Sequence, residues 1–341
     1  MVPAKRPLPP FPHPEPREYH QMLRTWNYAW WKPVTGAILV LAGMAVVAPL
    51  LLMPVLILGV VSEPGSFWDN FEKAASLKDV GPTELLYLNL TLGSSILVCW
   101  LVMRVVHRMR PRWLTSVVPK MRWKFFFICL GLSVVALIAQ LIVGQLVSAP
   151  ETPGTSGTVN DFTTMTALLA VIVLLTTPLQ AAGEEYVFRG YLMQAIGSFW
   201  SFPEVPVWVT RWVAILGTAT LFALAHGVQN FPLFFDRFMF GLIAGWLVVR
   251  TGGLEASIAM HILNNFLAFG YALLFSDLSS TLNVSQVGWE NIPVTLTQAG
   301  SYALLVTLVA RKMNLQRRTA PPAQSPPEGE PTALEPVSSQ P

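Results

Sequence analysis

Charge is what this sequence has least of. Only 12% of its 341 residues are Asp, Glu, Lys or Arg, against 53% hydrophobic residues, whereas an ordinary soluble domain carries about a quarter charged residues. That scarcity excludes a protein solvated mainly by water. The net charge of +3 implies no nucleic acid partner. Only two cysteines occur, Cys99 and Cys129; both fall in apolar runs and read as small core residues, so neither a disulfide nor a metal pair is implied. The opening MVPAKRPLPPFPHPEPREYH is basic but has no short apolar segment or small-residue cleavage pattern beside it, which reads as a retained tail and not a signal peptide. No internal repeat is visible, and the inverted-repeat pattern common in transporters goes unsupported.

What the chain does have is long apolar runs. Eight can be drawn: Val34 to Val61, Glu84 to Met103, Phe125 to Ser148, Thr164 to Trp200, Val213 to Gln229, Pro232 to Val249, Leu254 to Phe275 and Val294 to Ala310. At 1.5 Å per residue, about 20 residues cross a hydrocarbon core of about 30 Å. The expected fold is therefore all-α, a polytopic membrane protein of eight transmembrane helices. It divides into an N-terminal tail (1–33), three helices with their loops (34–163), a four-helix core (164–275), an outer loop with the last helix (276–313) and a disordered extension rich in Pro, Ser and Glu (314–341).

Lys and Arg collect on the cytoplasmic side of such proteins. The tail holds Lys5, Arg6, Arg17, Arg24 and Lys32, and the second connection holds Arg104, Arg108, Arg110, Arg112, Lys120, Arg122 and Lys124. The connections Ala149 to Thr163 and Ser276 to Pro293 hold none. Both termini are expected in the cytoplasm, the chain in the cell (inner) membrane and membrane lipid as its surroundings. Trp26, Tyr28, Trp30, Trp31, Trp113 and Trp123 flank the basic segments and are expected at headgroup level.

Ionisable groups at membrane depth are costly and mark function. The fourth run contains Glu184-Glu185-Tyr186-Val187-Phe188-Arg189, the fifth Phe222-Ala223-Leu224-Ala225-His226, and the seventh His261-Ile262-Leu263-Asn264-Asn265. Glu185 and Arg189 stand at i and i+4, where side chains on a helix meet, and so do His261 and Asn265. Glu184 is turned about 100° from Glu185, which frees one carboxylate while its neighbour is tied to arginine. A carboxylate, imidazoles and an amide supply a base for water and donors for an oxyanion, the needs of amide hydrolysis. Glu184 reaches mid-depth only if the fourth helix runs on to about Trp200, with Pro178 and Gly183 bending or loosening it on the way.

The three motifs, in order and in full, resemble those of the CAAX-processing and bacteriocin-immunity (CPBP, or Abi) family of intramembrane proteases: Glu-Glu-x-x-x-Arg, Phe-x-x-x-His and His-x-x-x-Asn. The resemblance covers about Thr164 to Gly270. It implies an intramembrane endopeptidase acting on a peptide or protein substrate. Glu184 would be the general base, with His226 holding the water and His261 and Asn265 stabilising the oxyanion. Glu185 and Arg189 would support the motif, with Phe222 packed beside it. The family has been described both as zinc-dependent, which would make Glu184, His226 and His261 the ligands, and as a metal-free glutamate protease. The absence of an HExxH motif favours the second. Prenylated C-terminal peptides are the family's best-known substrates, but nothing in this sequence selects one.

Blander readings stand beside these. Asp236 and Arg237 read as an ion pair near an interface, Asn264 as structural or pore-facing, and Asn89, Gln140 and Gln145 as interhelical hydrogen bonders. Gly241 and Gly245 read as a close helix contact. Two other functions fit the composition: an ion-coupled transporter that titrates Glu184, Glu185 and the histidines, and a noncatalytic scaffold or immunity protein that keeps the motif for folding.

Overall fold

The structure, a computed structural model, describes residues 12–147 and 159–321. Among the described residues ten helices carry the fold: α1 (Trp31–Ser62), α2 (Phe67–Ser76), α3 (Pro82–Val105), α4 (Trp123–Leu146), α5 (Thr164–Trp200), α6 (Val207–Leu224), α7 (Phe231–Thr251), α8 (Glu255–Phe275), α9 (Leu278–Leu282) and α10 (Asn291–Lys312). All but α2 and α9 are long and apolar enough to cross a membrane, making eight spans. Among the described residues there is no strand, only two isolated bridges. The expected all-α fold is borne out.

Local chemistry sets most boundaries. Thr163 caps α5 by accepting from the Thr166 amide, and Asn230 caps α7 by accepting from the Leu233 amide at 3.2 Å. Gly252 ends α7 in the left-handed region, φ +74°. The fifth span is displaced from the expected Val213 to Gln229. It begins after Pro206 and takes in Arg211, because Glu18 neutralises that side chain at 2.9 Å. It ends at Leu224, because the chain turns at Gly227, φ +79°. His226 thus lies in the turn beyond the helix, not inside the span.

In the bundle α3 lies along α5, α6 along α7, and α8 between α4 and α5, while α10 closes against α4 and α7. Outward-facing leucines such as Leu51 and Leu175 stay exposed in the protein alone, as lipid-facing residues do. Helix association in lipid therefore rests on packing and interhelical hydrogen bonds. Tyr302 donates to the Ala256 carbonyl at 2.7 Å, and Asn89 on α3 donates to Thr176 at 2.8 Å on α5, as its sequence reading expected. The Gly241 and Gly245 contact also holds: a Cβ on Gly241 would lie 2.8 Å from Ala219 Cα. Both cysteines are buried and free.

The segment around Glu18 and the segment around Arg318 meet on one side of the bundle. Glu18 accepts from Arg211 and Arg318, and the Thr319 amide donates to the Arg17 carbonyl at 2.9 Å. Residues 314–321, placed by the sequence reading in a disordered extension, are docked, because Leu315 finds apolar neighbours and Thr319 is buried. The rest of that extension, 322–341, lies outside the described residues. The N-terminal tail is likewise folded in part: Tyr19, Met22 and Leu23 are buried, and His20 pairs with Thr210 at 3.0 Å. Trp113, expected at headgroup level, is buried against His13 because its turn carries the Tyr19 contact at Leu114. Trp26, Trp30 and Trp123 are exposed.

Candidate active site

The site is built on α5. Gly93 and Gly183 let α3 and α5 cross so closely that a Cβ on Gly183 would overlap the Leu92 carbonyl. Gly183 therefore permits contact where the sequence suggested loosening. The helix runs unbroken past Pro178 to Trp200, as the depth argument required. The loosening comes one residue after Glu185, where Tyr186–Leu192 widens into a π-helix. Such segments recur at functional sites because the wider turn re-aims side chains.

Glu185 and Arg189 form a dry pair. Both side chains are wholly buried, with Arg189 Nη1 donating to Glu185 Oε1 at 2.8 Å across one helical turn. The guanidinium lies 4.1 Å from the Phe222 ring centroid, a cation–π contact that replaces part of the lost hydration. His261 Nδ1 is 2.9 Å from the same Oε1. A carboxylate paired with arginine only accepts hydrogen bonds, so Nδ1 carries the proton and Nε2 turns the other way. Phe222 and Phe240 flank this imidazole at 5.9 and 5.0 Å between ring centroids.

Glu184 faces a cavity of about 410 Å³. His226, His261 and Asn265 line it too, so the four candidate catalytic residues share one space; Gln180 and Arg237 border it as well. His261 Nε2 is 3.5 Å from Glu184 Oε2. His226 Nδ1 lies 2.8 Å from the Phe222 carbonyl, an acceptor, so the Nδ1 proton is spent there and the Nε2 lone pair is free. Leu77, Thr281 and Leu282 extend the cavity towards α2 and α9, at the end of the bundle away from the two termini.

One residue that sequence reasoning missed ties the wet side together. Gln180 Nε2 donates to Glu184 Oε1 at 2.7 Å, and Asn265 Nδ2 donates to Gln180 Oε1 at 2.8 Å. The acceptor-only carboxylate fixes which way the Gln180 amide points, and that in turn fixes Asn265, leaving its second N–H uncommitted. The signal was present in the i, i+4 spacing of Gln180 and Glu184. Phe240 carried no such signal.

Other expectations divide. Asp236 and Arg237 do not form an ion pair. Asp236 accepts from Thr295, while Arg237 donates to Gln229 Oε1 at 2.8 Å and to the Val284 carbonyl at 3.3 Å, because successive residues point to different sides of α7. Asn264 is structural, accepting from Gln298 at 2.5 Å. Among the described residues, the Oε1 of Gln140 has no partner. No three His, Cys, Asp or Glu side chains among the described residues, Glu184, His226 and His261 included, are grouped so as to hold a metal ion.

Residues 165–267 match the model of a family described as Type II CAAX prenyl endopeptidase Rce1-like. The matched stretch lies within Thr164 to Gly270, spans all three motifs and contains Glu184, Glu185, Arg189, Phe222, His226, His261 and Asn265, so the resemblance is borne out. The chain is 27% identical over 248 residues to an uncharacterized protein, YyaK, of Bacillus subtilis (strain 168), covering 70% of this chain and 75% of that one. It is 25% identical over 194 residues to an uncharacterized 24.3 kDa protein of Escherichia coli, covering 56% and 82%. No solved structure matches it. At the family level, the match supports a CAAX-protease-like intramembrane peptidase.

Proposed function

We propose that this integral membrane protein is an endopeptidase that hydrolyses a peptide bond inside the cavity beside α5, with Glu184 activating the water. The observation that carries this reading is the convergence of Glu184, His226, His261 and Asn265, from two helices and a turn, on that one cavity. The Nε2 lone pair of His226 accepts a hydrogen bond from water and holds it. Glu184 takes a proton as the water oxygen bonds to the scissile carbonyl carbon. The second N–H of Asn265 donates to the oxyanion, with His261 lining the same cavity. The C–N bond then breaks as Glu184 returns its proton to the departing amine. Glu185 and Arg189 keep His261 in one tautomer.

This mechanism needs no metal. With the basic end of the bundle in the cytoplasm, both termini are cytoplasmic, the membrane is the cell (inner) membrane, and the cavity is reached from the opposite side or from the lipid. The test is a comparison of peptides and processed proteins in membranes carrying the native chain and its Glu184→Ala variant. Products present only with the native chain, from protein that carries no stoichiometric zinc, are expected. Full processing by Glu184→Ala removes Glu184 from the mechanism, and zinc whose removal stops turnover defeats the metal-free version.

A further inference from the structure

Arg237 is a cation that borders the cavity and is held by neutral acceptors. Its two hydrogen bonds go to neutral acceptors, the Gln229 amide oxygen and the Val284 carbonyl. Among the described residues no carboxylate comes within ion-pair reach of it; Asp236 is occupied by Thr295, and Glu184 borders the same cavity farther away. A partly buried charge without a paired counter-charge is costly. The two bonds use one N–H on each terminal nitrogen and so fix the plane of the guanidinium, leaving three of its five donors for a ligand. A fixed planar fork matches a carboxylate bidentately. Around it the cavity wall is largely apolar, through Met44, Leu88, Leu92, Ala268, Phe269 and Leu282.

We propose that Arg237 anchors a carboxylate of the substrate, so that the protein selects an apolar peptide bearing a negative charge at a set distance from the bond presented to Glu184. The carboxylate belongs either to the peptide's C-terminus or to an Asp or Glu side chain. This rests on the peptidase reading, and it assigns Arg237 to specificity; the reaction at Glu184 does not need it.

The test separates binding from turnover. The full chain carrying Glu184→Gln, purified in detergent, is titrated by fluorescence anisotropy against a labelled pool of short peptides of Ala, Val, Leu and Phe. The pool is prepared with a free C-terminal carboxylate, with a C-terminal amide, and with the amide plus one internal Glu. The free acid is expected to bind about 10- to 100-fold more tightly than the amide, the weight of a hydrogen bond to a charged group. Recovery by the internal Glu assigns the anchor to side chains, and no recovery assigns it to the terminus. Adding Arg237→Gln should abolish the preference, and Arg237→Lys, which keeps the charge without the fork and guards against misfolding, should retain part of it. Equal binding of acid and amide, no binding of the free acid, or a preference that survives Arg237→Gln overturns the proposal. Arg237-dependent selection without cleavage by the native chain sinks the peptidase reading alone. Cleavage of acid and amide alike sinks the anchor alone.

Discussion

Glu184 borders a cavity with two imidazoles and three amides, and its oxygens meet Gln180 and His261. Glu185, the next residue, is wholly buried and meets Arg189 and the other nitrogen of His261. One helix thus carries a wet carboxylate and a dry one about 100° apart, with His261 bridging them. The difference teaches where each carboxylate's free energy goes. The dry one is spent on fixing the site: its charge is answered by Arg189, the arginine is covered by Phe222, and His261 is left with one tautomer. The wet one keeps a face towards the space where a substrate and water can stand.

The largest expected effect falls on the dry side. Arg189→Met leaves the Glu185 carboxylate buried without its counter-charge, a loss of about 3–5 kcal/mol, read as a deep drop in Tm by thermal unfolding in detergent. Replacing both partners, Glu185→Leu with Arg189→Met, should recover most of that stability without recovering activity. An unchanged Tm in the single variant would erase the distinction between the two faces.

Gln180→Leu sharpens the comparison from the wet side. It removes the donor to Glu184 and releases the Asn265 amide, so kcat should fall about 10- to 100-fold on a substrate identified from the membrane comparison, the scale of one hydrogen bond to a charged group. KM and Tm should change little. A loss of stability in place of turnover would make Gln180 part of the packing.

The smallest effect lies at the basic end, where burial also governs. His13 and His107 are pushed down to about 4 and His20 to about 3, in each case first by desolvation. Their folded pKa lies below the ordinary 6.5, so on acidification the unfolded chain takes up protons first. The stability they contribute is fully present above about pH 6.5 and is lost as pH falls towards 4. Tm should decline across that window, and His20→Gln should flatten the decline. A flat profile in the native chain would mean these rings are open to water.

The eight spans and the two i, i+4 pairings were legible because length and helical period are properties of the chain itself. The Glu185–Arg189 pair followed from spacing and forms as expected. His261 and Asn265 do share a face, but each is held by α5 and not by the other. What was hidden depends on partners far away in sequence. Arg211 enters α6 because Glu18 answers it, residues 314–321 dock because the N-terminal segment receives them, and Arg237 turns from Asp236 because Gln229 and Val284 supply acceptors. The displaced end of α6 was written locally in Gly227, but a run of apolar letters around His226 hid it.

The most direct measurement sets Glu184→Gln beside Glu185→Gln in the same purified protein, recording Tm and cleavage for each. The wet and dry division predicts that Glu184→Gln keeps the native Tm and loses about 10²- to 10⁴-fold in kcat, the span of general base catalysis. Glu185→Gln should lower Tm as well. Equal falls in Tm for the two variants, or turnover that survives the loss of the Glu184 carboxylate, would contradict it.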